Sequence, residues 1–434
     1  MKLAVIGTGY VGLVSGACFS EFGFDVTCID KDADKIDRIK SGNMPIYEPG
    51  LEQLVARNVE AGRLHFTTET ATAVADADAV FIAVGTPTRR GDGHADLTYV
   101  YDAARELAAH ISGYTVVVTK SPVPVGTGRE VAKIIHEANP DADFDVASNP
   151  EFLREGAAIS DFMRPDRVVV GAETDRAQAM LKALYRPLYL IETPILMTSL
   201  ETSELIKYAS NAFLAVKISY INQMADLCEK VGADVHDVSK GMGLDKRIGN
   251  KFLHPGPGYG GSCVPKDTLA LVRTAEDFGS DVSIVDGVVA YNAARKHAMA
   301  ERVIAASGGV DGRTVGILGL SFKPETDDMR DSPSLDIVPA LIAAGARVKA
   351  YDPKAMHEAE MMLPAEVTFA DSAVSCLADA DIVVVVTEWN EFRALTAEHF
   401  LGAMRGKLLV DLRNIYNPGE MRDAGLIYHS IGRE

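Results

Sequence analysis

Short apolar runs alternate with helix-like patterns along the first two hundred residues of the chain. The runs cover residues 2–6, 24–29, 79–84, 115–119, 145–148 and 168–171. Strands that alternate with amphipathic helices are typical of a parallel sheet with helices on both faces. The pattern predicts a doubly wound α/β domain over residues 1–198, with the run 168–171 as the last strand of its sheet.

The middle of the chain has a helical pattern. From about Ser199 to Val231 few residues would break a helix, which predicts one long helix, and further helices continue to about residue 306. The apolar positions in this region exceed what one helix face needs to bury. We therefore expect a central helical region over residues 199–305 that pairs two copies of the chain into a homodimer.

The last third of the chain repeats the pattern of the first. Strand-like runs lie at 314–318, 347–351 and 407–412, and residues 378–384 echo residues 75–81. The overall prediction is an α/β protein of two Rossmann-like doubly wound domains, joined by the central helical dimerisation region with its one long helix. The second Rossmann-like domain is predicted over residues 306–434.

The first strand leads into a glycine motif, and the second strand ends at an acid, Asp30. The motif reads Gly7-Thr8-Gly9-Tyr10-Val11-Gly12. Its glycines would let a pyrophosphate approach a helix N-terminus, and the acid would bind a ribose diol. Because a carboxylate repels a 2′-phosphate, the motif predicts NAD rather than NADP. Lys35 lies in the next turn and either reaches the adenosine or is an ordinary solvated lysine.

Charge and cysteine usage exclude several classes of partner. The net charge of −18 argues against nucleic acid or an anionic membrane, because both select basic surfaces. The five cysteines show neither metal-ligand spacing nor a disulfide framework, so we expect no metal site. No apolar run is long enough to span a bilayer, and the N-terminus reads directly into a strand rather than a signal peptide. These features favour a cytoplasmic protein.

A loop rich in glycine and proline, residues 255–262, precedes Cys263. Pro265 suits the first turn of a helix, and a thiol at a helix N-terminus beside Lys266 is activated as a nucleophile. The alternative is an inert, buried cysteine in a glycine-rich turn.

Polar residues that could act in catalysis lie at two further places. Glu151 and Glu155 follow the run 145–148 and would share a face if the segment were helical. They would then form an acid–base pair or an ordinary charge bias at a helix N-terminus. Lys207 and Asn211 are one turn apart on the long helix, where they either stabilise an oxyanion or belong to a solvated stripe.

The second Rossmann-like copy lacks the third glycine of the motif. Phe322 could stack on a base, and Lys323 and Arg413 could bind phosphate. We expect a second, nucleotide-bearing ligand here; the alternative is a degenerate and purely structural copy. Arg330 lies in a charged loop and could equally be paired within it.

An NAD site, a second nucleotide site and a thiol together favour the oxidation of an aldehyde. Oxidation of an alcohol needs no cysteine, whereas a thiohemiacetal can lose hydride to give a thioester. Water must then hydrolyse the thioester, which gives carboxylates near the thiol a role.

At these residues the chain resembles the UDP-glucose 6-dehydrogenase family of nucleotide-sugar dehydrogenases, almost from end to end. The resemblance rests on Gly7 to Gly12, Glu48-Pro49-Gly50-Leu51, Val84-Gly85-Thr86-Pro87, Asn149 to Gly156, Gly260-Gly261-Ser262-Cys263 with Pro265-Lys266-Asp267, and Ser321-Phe322-Lys323 with Asp328 and Arg330. It implies two successive NAD-linked oxidations at C6 of UDP-glucose, giving UDP-glucuronate for polysaccharide biosynthesis.

The resemblance also implies roles for single residues. Cys263 would be the nucleophile, Lys207 with Asn211 would stabilise the oxyanion, and Asp267 with Glu151 would handle water and protons. The implied cofactor-binding residues are Gly7, Gly9, Tyr10, Val11, Gly12, Asp30, Lys35, Thr86, Ser121, Glu155, Lys266 and Arg330. The implied substrate-binding residues are Phe152, Leu153, Glu155, Lys207, Asn211, Arg247 (reaching the neighbouring subunit's sugar), Phe252, Leu253, Gly256, Tyr259, Gly260, Phe322, Lys323 and Arg413.

One position departs from the family pattern. The family usually has Lys-Ser-Thr-Val-Pro, where the threonine hydroxyl helps to hold a catalytic water, and here Pro122 replaces that threonine. Proline has neither a hydroxyl nor an N–H. Either Ser121 substitutes, or the water relies on Glu151 and Asp267 alone.

Other activities stay open on the sequence alone. A GDP-mannose or UDP-N-acetylmannosamine 6-dehydrogenase would share the mechanism, although residues 247–253 look more like the UDP-glucose branch. A two-electron 3-hydroxyacid dehydrogenase would share the first domain and a Lys/Asn pair, but it needs no cysteine and no third domain. The remaining alternative is a catalytically inactive regulator that binds NAD or a nucleotide sugar. The presence of Cys263, Lys207 and Asp267 argues against it.

Overall fold

The computed structural model describes residues 1–89 and 91–433. These residues form two compact units. The first unit contains Met1–Ser210 with Arg273–Ser280, and the second contains Asn211–Val272 with the residues from Asp281 onward. The predicted division into three domains at residues 198 and 305 stays a prediction.

In the first unit, the described strands form one sheet in the order β3-β2-β1-β4-β5-β6-β7-β8. They are β1 Lys2–Ile6, β2 Asp25–Ile29, β3 Leu64–Thr67, β4 Ala79–Ile82, β5 Thr115–Thr119, β6 Phe144–Ser148, β7 Val168–Ala172 and β8 Ile195–Thr198. All neighbouring pairs are parallel except β6 with β7. All five residues of β5 are buried, as expected for a sheet covered on both faces.

The run 168–171 does not close this sheet, contrary to the sequence prediction. Strand β8 adds to β7 in parallel register, from Val168 opposite Ile195 to Gly171 opposite Thr198. This edge strand is only partly buried, so its apolar signal is weaker than that of the inner strands.

Helices connect the strands of the first unit and cover the sheet. They are α1 Tyr10–Glu21, α2 Ala33–Lys40, α3 Leu51–Glu60, α4 Thr70–Ala75, α5 Thr98–Ala108, α6 Thr127–Ala138, α7 Ala158–Met163 and α8 Asp175–Leu184, followed by a 3-10 helix Arg186–Ile191.

The predicted long helix is confirmed as α9, Leu200–Val231, a helix of 32 residues. The boundary between the two units falls within it, after Ser210. Three more helices complete the helical region: α10 Val235–Gly243, α11 Val264–Asp277 and α12 Ser283–Ser307. Within the described part of the chain, no helix combines the length and apolar character needed to cross a membrane.

The second unit contains a second sheet, parallel throughout its described strands, in the order β11-β10-β9-β12-β13-β14. Its strands are β9 Thr314–Leu318, β10 Arg347–Tyr351, β11 Thr368–Phe369, β12 Ile382–Val385, β13 Leu408–Asp411 and β14 Ile427–Ser430. Its helices are α13 Ser334–Ala343, α14 Met356–Met362, α15 Ala373–Leu377, α16 Asn390–Arg393, α17 Ala397–Ala403 and α18 Pro418–Asp423. The order repeats that of the first six strands of the first sheet, so the predicted pair of Rossmann-like folds is confirmed.

Candidate active site

The turn between β1 and α1 is tightly packed on one side and open on the other. Gly7 has a left-handed φ of 102°, and a Cβ there would lie 2.6 Å from the carbonyl oxygen of Ala83. A Cβ on Gly12 would collide with the carbonyl oxygen of Gly7, whereas one on Gly9 would meet nothing within 4 Å. No side chain caps α1 at Gly9. This turn therefore leaves a helix N-terminus accessible to an anionic group such as a pyrophosphate.

Asp30 lies directly after β2 and is held in its ionised form. Its Oδ2 accepts hydrogen bonds from the Thr8 backbone N–H (2.9 Å), the Thr8 hydroxyl (2.7 Å) and the Lys35 ammonium (2.8 Å). Burial would raise the pKa of Asp30, but these bonds hold it down at about 2. Lys35 is thus the ion-pair partner of Asp30 rather than a solvated lysine. The glycines and Asp30 fit the predicted NAD site.

The second sheet has an acid at the equivalent position, but both oxygens of its carboxylate accept hydrogen bonds from the protein. Asp352 follows β10 and is 1% exposed. Its Oδ2 accepts hydrogen bonds from Leu320 N, from both N and Oγ of Ser321, and from Trp389 Nε1, at 2.8–3.1 Å. Two further backbone N–H groups donate to its Oδ1. A ribose diol would have to displace these donors, so the second copy does not repeat the ribose site that is predicted for the first.

Two side-chain hydroxyl groups form hydrogen bonds between the segments that follow β4 and β5. The Thr86 hydroxyl donates to the carbonyl oxygen of Pro122 (3.0 Å), and the Ser121 hydroxyl donates to the carbonyl oxygen of Val84 (2.7 Å). Pro122 is buried. The Ser121 proton is therefore engaged, and this hydroxyl would meet a water only as an acceptor.

Glu151 and Lys207 form a buried ion pair. Lys207 Nζ lies 2.8 Å from Glu151 Oε1, and the two side chains are 4% and 2% exposed respectively. Burial would raise the pKa of Glu151, but the charge and hydrogen bond of Lys207, with a bond from Leu153 N, lower it. The ring of Phe152 lies 5.5 Å from Lys207 Nζ. Lys207 is thus part of a charged cluster and not of a solvated stripe.

The possible helix that would place Glu151 and Glu155 on one face is not present in the structure. Residues 151–154 have no regular secondary structure, and a turn begins at Glu155. Glu151 Oε2 accepts a hydrogen bond from the backbone N–H of Leu153 (2.6 Å), a local bond that competes with a helix. Glu155 is also buried, but the spacing rule that would pair it with Glu151 does not apply.

Lys120 is a second buried cation near Glu151, and the sequence reasoning gave it no role. Its Nζ donates to Asn149 Oδ1 (3.0 Å), which also accepts from the Tyr185 hydroxyl. Burial lowers the pKa of Lys120 to about 8, and the charge of Glu151 opposes this shift. The available signal was a lysine directly after the fully buried strand β5.

Glu48 belongs to one of the motifs that carry the resemblance, but the sequence indicated no role for it. It is buried, and it accepts hydrogen bonds from the backbone N–H groups of Gly156 (2.7 Å) and Ala158 (2.8 Å) and from the Tyr10 hydroxyl. Val11, beside Tyr10, packs against the core of the first unit. Glu48 thereby ties the first turn of α1 to the segment that contains Glu155.

In the second unit, Cys263 comes directly before α11. All five cysteines lie in the described part of the chain, and Cys263 alone is half-buried while the others are buried. Asp267, on the first turn of α11, is fully buried and accepts hydrogen bonds from Asn211 Nδ2 (2.7 Å) and Lys266 Nζ (2.8 Å). The arrangement joins a carboxylate to an amide and an ammonium group one turn of α11 after a partly accessible thiol.

The loop before Cys263 packs closely on Phe322. A Cβ on Gly261 would lie 2.6 Å from the Phe322 ring, and one on Gly260 would collide with the carbonyl oxygen of Asp331. Lys323 Nζ lies 5.7 Å from the centre of the same ring. Only glycine fits at these two positions.

Arg413 joins the same group of residues. It donates to the carbonyl oxygens of Phe322 (2.9 Å) and Val386 (2.7 Å), and a Cβ on Gly256 would lie 3.2 Å from its Nη1. The structure therefore brings Gly256, Gly260, Phe322, Lys323 and Arg413 together.

Three polar residues that the sequence reasoning missed anchor this loop. Asn292 bonds both the N–H and the carbonyl oxygen of Tyr259, at 2.9 and 3.0 Å. Asn222 accepts from Gly256 N, and Arg295 donates to the Gly256 carbonyl oxygen, each at 2.8 Å. Their positions on α9 and α12 gave no local signal, because the loop is more than thirty residues away from each.

Two arginines of the predicted set pair with acids in their own loops. Arg330 donates to both carboxylate oxygens of Asp328, at 2.7 and 2.9 Å, so the pairing within its loop is confirmed. Arg247 pairs with Asp245, and its side chain is 89% exposed.

Phe252 and Leu253 differ from each other in exposure. Phe252 is exposed and has a left-handed φ of 61°. Leu253 is buried in the core of the second unit.

Models of one family match three consecutive parts of the chain. The NAD binding domain of the UDP-glucose/GDP-mannose dehydrogenase family matches residues 1–189, its central domain residues 201–294, and its UDP binding domain residues 316–418. The chain belongs to this family. It is accordingly an NAD-dependent dehydrogenase, and the predictions of fold, enzyme class and cofactor are confirmed.

Members of the UDP-glucose/GDP-mannose dehydrogenase family with similar sequences cover the whole chain. The UDP-glucose 6-dehydrogenase of Rhizobium meliloti strain 1021 is 60% identical over 436 residues, covering all of both chains. UDP-glucose 6-dehydrogenase TuaD of Bacillus subtilis strain 168 is 47% identical, covering 100% of this chain and 93% of its own. The solved structure of a UDP-glucose dehydrogenase from Pyrobaculum islandicum has a TM-score of 0.92 at 40% identity, covering 100% of this chain and 98% of its own.

Proposed function

We propose that the chain oxidises UDP-glucose at C6 to UDP-glucuronate in two NAD-dependent steps, four electrons in all. The observation that carries this proposal is the half-buried Cys263 at the start of α11, followed by the buried Asp267 with Asn211 bound to it. A two-electron alcohol dehydrogenase has no use for this thiol. The similar proteins of Rhizobium meliloti and Bacillus subtilis support UDP-glucose as the substrate.

In the first oxidation, C6 of the sugar changes from an alcohol to an aldehyde. NAD, when bound, accepts the hydride. Lys207 would hold the developing negative charge on the C6 oxygen, with Asn211 as a neutral donor. Glu151, ionised by its pair with Lys207, would receive the hydroxyl proton directly or through water.

In the second oxidation, the Cys263 sulfur adds to the aldehyde carbon and forms a thiohemiacetal. The thiohemiacetal carbon would then lose a hydride and its hydroxyl a proton, with bound NAD as the hydride acceptor, which would leave a thioester on Cys263. Water then attacks the thioester, the C–S bond breaks, and the sulfur leaves as the thiolate. Asp267 and Glu151 would orient this water and take its proton, because Pro122 supplies no hydroxyl.

The residues around the glycine loop would bind the nucleotide sugar. Gly256, Gly260, Phe322, Lys323 and Arg413 would face UDP, where the two cations offset the charge of the diphosphate. Phe152, Leu153 and Glu155 would line the sugar in the first unit. Arg247, exposed on its loop, would reach the sugar bound by a second copy of the chain.

A homodimer is part of this proposal. Helix α9 exposes an apolar stripe at seven-residue spacing, formed by Phe213, Tyr220 and Leu227. Seven residues are close to two helical turns, so these side chains share one face. A helix that buries this face against a second copy would remove it from water.

The proposal is tested by counting NADH and by replacing the thiol. The native protein should form two NADH per UDP-glucose and release UDP-glucuronate. Cys263→Ser should retain UDP binding and lose the net four-electron oxidation. One NADH per substrate in the native protein, or full activity in Cys263→Ser, would overturn the proposed chemistry. Preference for GDP-mannose or UDP-N-acetylmannosamine would overturn the proposed substrate.

A further inference from the structure

The beginning of α9 is fixed against the sheet of the first unit at several points. The Ser203 hydroxyl donates to the carbonyl oxygen of Ser148 (3.2 Å), at the end of β6. Gly171 on β7 is in close contact with the same turn, since a Cβ there would lie 2.7 Å from Ser203 Cβ. One turn further along α9, Lys207 forms its ion pair with Glu151.

Glu204 lies between Ser203 and Lys207 and caps a different helix. Helix α6 begins after Gly126, which has a left-handed φ of 95° and no side chain to cap the helix. Glu204 Oε2 accepts a hydrogen bond from Gly126 N, and Glu204 Oε1 accepts one from Gly128 N, both at 2.7 Å. The residue is 2% exposed. A carboxylate 76 to 78 residues away thus satisfies N–H groups that a local serine or aspartate usually satisfies.

We propose that Glu204 is a positioning residue for the dehydrogenase reaction, one that fixes the turn of α9 carrying Lys207 against the loop of residues 120–126. Glu204 and Lys207 are three residues apart and therefore adjacent on the helix. The loop that Glu204 contacts at Gly126 also contains Ser121 and Pro122, which lie at the predicted cofactor and water positions. The inference rests on the proposed role of Lys207.

The charge interactions of the Glu204 carboxylate with the start of α6 fit this role. Burial raises the pKa of Glu204 to about 7, and the N–H groups of Gly128 and Gly126 act against that shift. Arg129 lies nearby, but it forms ion pairs with Glu173 and Glu201. The Glu204 carboxylate is therefore held by the backbone N–H groups and the helix dipole at the N-terminus of α6.

The test compares Glu204→Gln and Glu204→Ala with the native protein and with a matched control, Glu201→Gln. Glu201 is on the same turn of α9, but its side chain is 39% exposed and pairs with Arg129. Steady-state oxidation of UDP-glucose gives kcat and both KM values, and thermal unfolding gives Tm. A misplaced Lys207 should lower kcat by about tenfold or more in both Glu204 variants. The KM for UDP-glucose and that for NAD should change by less than about threefold, and Glu201→Gln should match the native protein in kcat.

A second variant separates positioning from stability. Gly128 lies inside α6, and a Cβ there would come within 3.1 Å of Glu204 Oε1. Alanine has a higher helix propensity than glycine, so Gly128→Ala should not lower Tm through the helix itself, while it displaces the Glu204 carboxylate. We expect a loss of kcat in this variant, smaller than in Glu204→Ala.

The outcomes are distinguishable from failure of the proposed function. If the native protein does not oxidise UDP-glucose, the proposed function fails before any variant is measured. If it does, native kcat values in folded Glu204→Gln and in Gly128→Ala would overturn the positioning role. A lowered Tm with unchanged kcat in Glu204→Ala would show that Glu204 is only structural, which also overturns it.

Discussion

At the scale of single residues, the most informative comparison is between Asp30 and Asp352. Both acids follow the second strand of a Rossmann-like sheet, and both accept hydrogen bonds from the loop after the first strand. Asp352 receives six bonds from the protein, including one from the Trp389 indole, whereas Asp30 Oδ1 receives one long bond of 3.2 Å from Asp32 N. The carboxylate of Asp352 is therefore fully used by the fold, whereas that of Asp30 keeps the capacity to bind the ribose that we predict for it.

This difference predicts opposite effects of two matched substitutions. Asp30→Asn should weaken NAD binding by about tenfold or more, because hydrogen bonds to a charged group contribute about 1.5–3 kcal/mol. UDP binding should be unchanged, as measured by calorimetric titration of each ligand. Asp352→Asn is the control: it should lower Tm without changing NAD affinity. Equal NAD affinity in Asp30→Asn and the native protein would contradict the assignment of the ribose site.

Residue contacts also explain what the sequence could not reveal about the site. Cys263, Asp267 and Asn211 each lie in a local motif that the sequence shows, and this made them predictable. The structure joins Asn211 to Asp267 by a hydrogen bond. Lys120 and Glu204 were missed because their roles depend on partners 29 and 76 or more residues away. No local pattern encodes such a pairing.

At the scale of elements, prediction succeeded where the apolar pattern was strong, and it failed where the pattern was weak or where a side chain bonded its own backbone. Strand β5 is a fully buried run with three consecutive valines, and helix α9 contains few helix-breaking residues. Both were found close to their observed bounds. Strand β8 was missed because an edge strand is only half-buried. The segment 151–155 was considered as a helix, but the Glu151 side chain bonds its own backbone two residues later.

The loop after β5 can be tested by replacing Pro122 with the threonine that is usual in the family. Pro122→Thr should leave NAD affinity unchanged, because the Pro122 carbonyl oxygen that accepts from Thr86 is retained. Turnover should change modestly, since threonine adds a hydroxyl that can hold water but also a buried N–H. Single-turnover release of UDP-glucuronate measures the hydrolytic step alone. A large loss of NAD binding in this variant would contradict the placement of Pro122 at the water position.

At the scale of the whole molecule, one chain contains the same six-strand order twice, with different uses of the strand ends. The fold class and the repeat were predictable because they follow from hydrophobic periodicity. The assembly of subunits was predictable only from the excess of apolar positions in the helical region, and it stays a prediction.

The homodimer can be tested through the stripe on α9. Leu227→Arg places a charge within this apolar face and should convert a dimer to a monomer, as measured by light scattering at micromolar concentration. The matched control is Val374→Arg, which adds the same charge at an equally exposed apolar residue on α15. A Leu227→Arg protein with the mass of the native assembly would argue against pairing through this face.

The ion pair between Lys35 and Asp30 has a consequence for the evolution of cofactor use. At the predicted NAD site, Asp30 would exclude a 2′-phosphate, and it holds the Lys35 ammonium group at 2.8 Å. Loss of the carboxylate would therefore remove a repulsive charge and release an attractive one in a single step. An ancestor or descendant of this chain could move between the two cellular pools of nicotinamide cofactor through one codon, without any change in the fold.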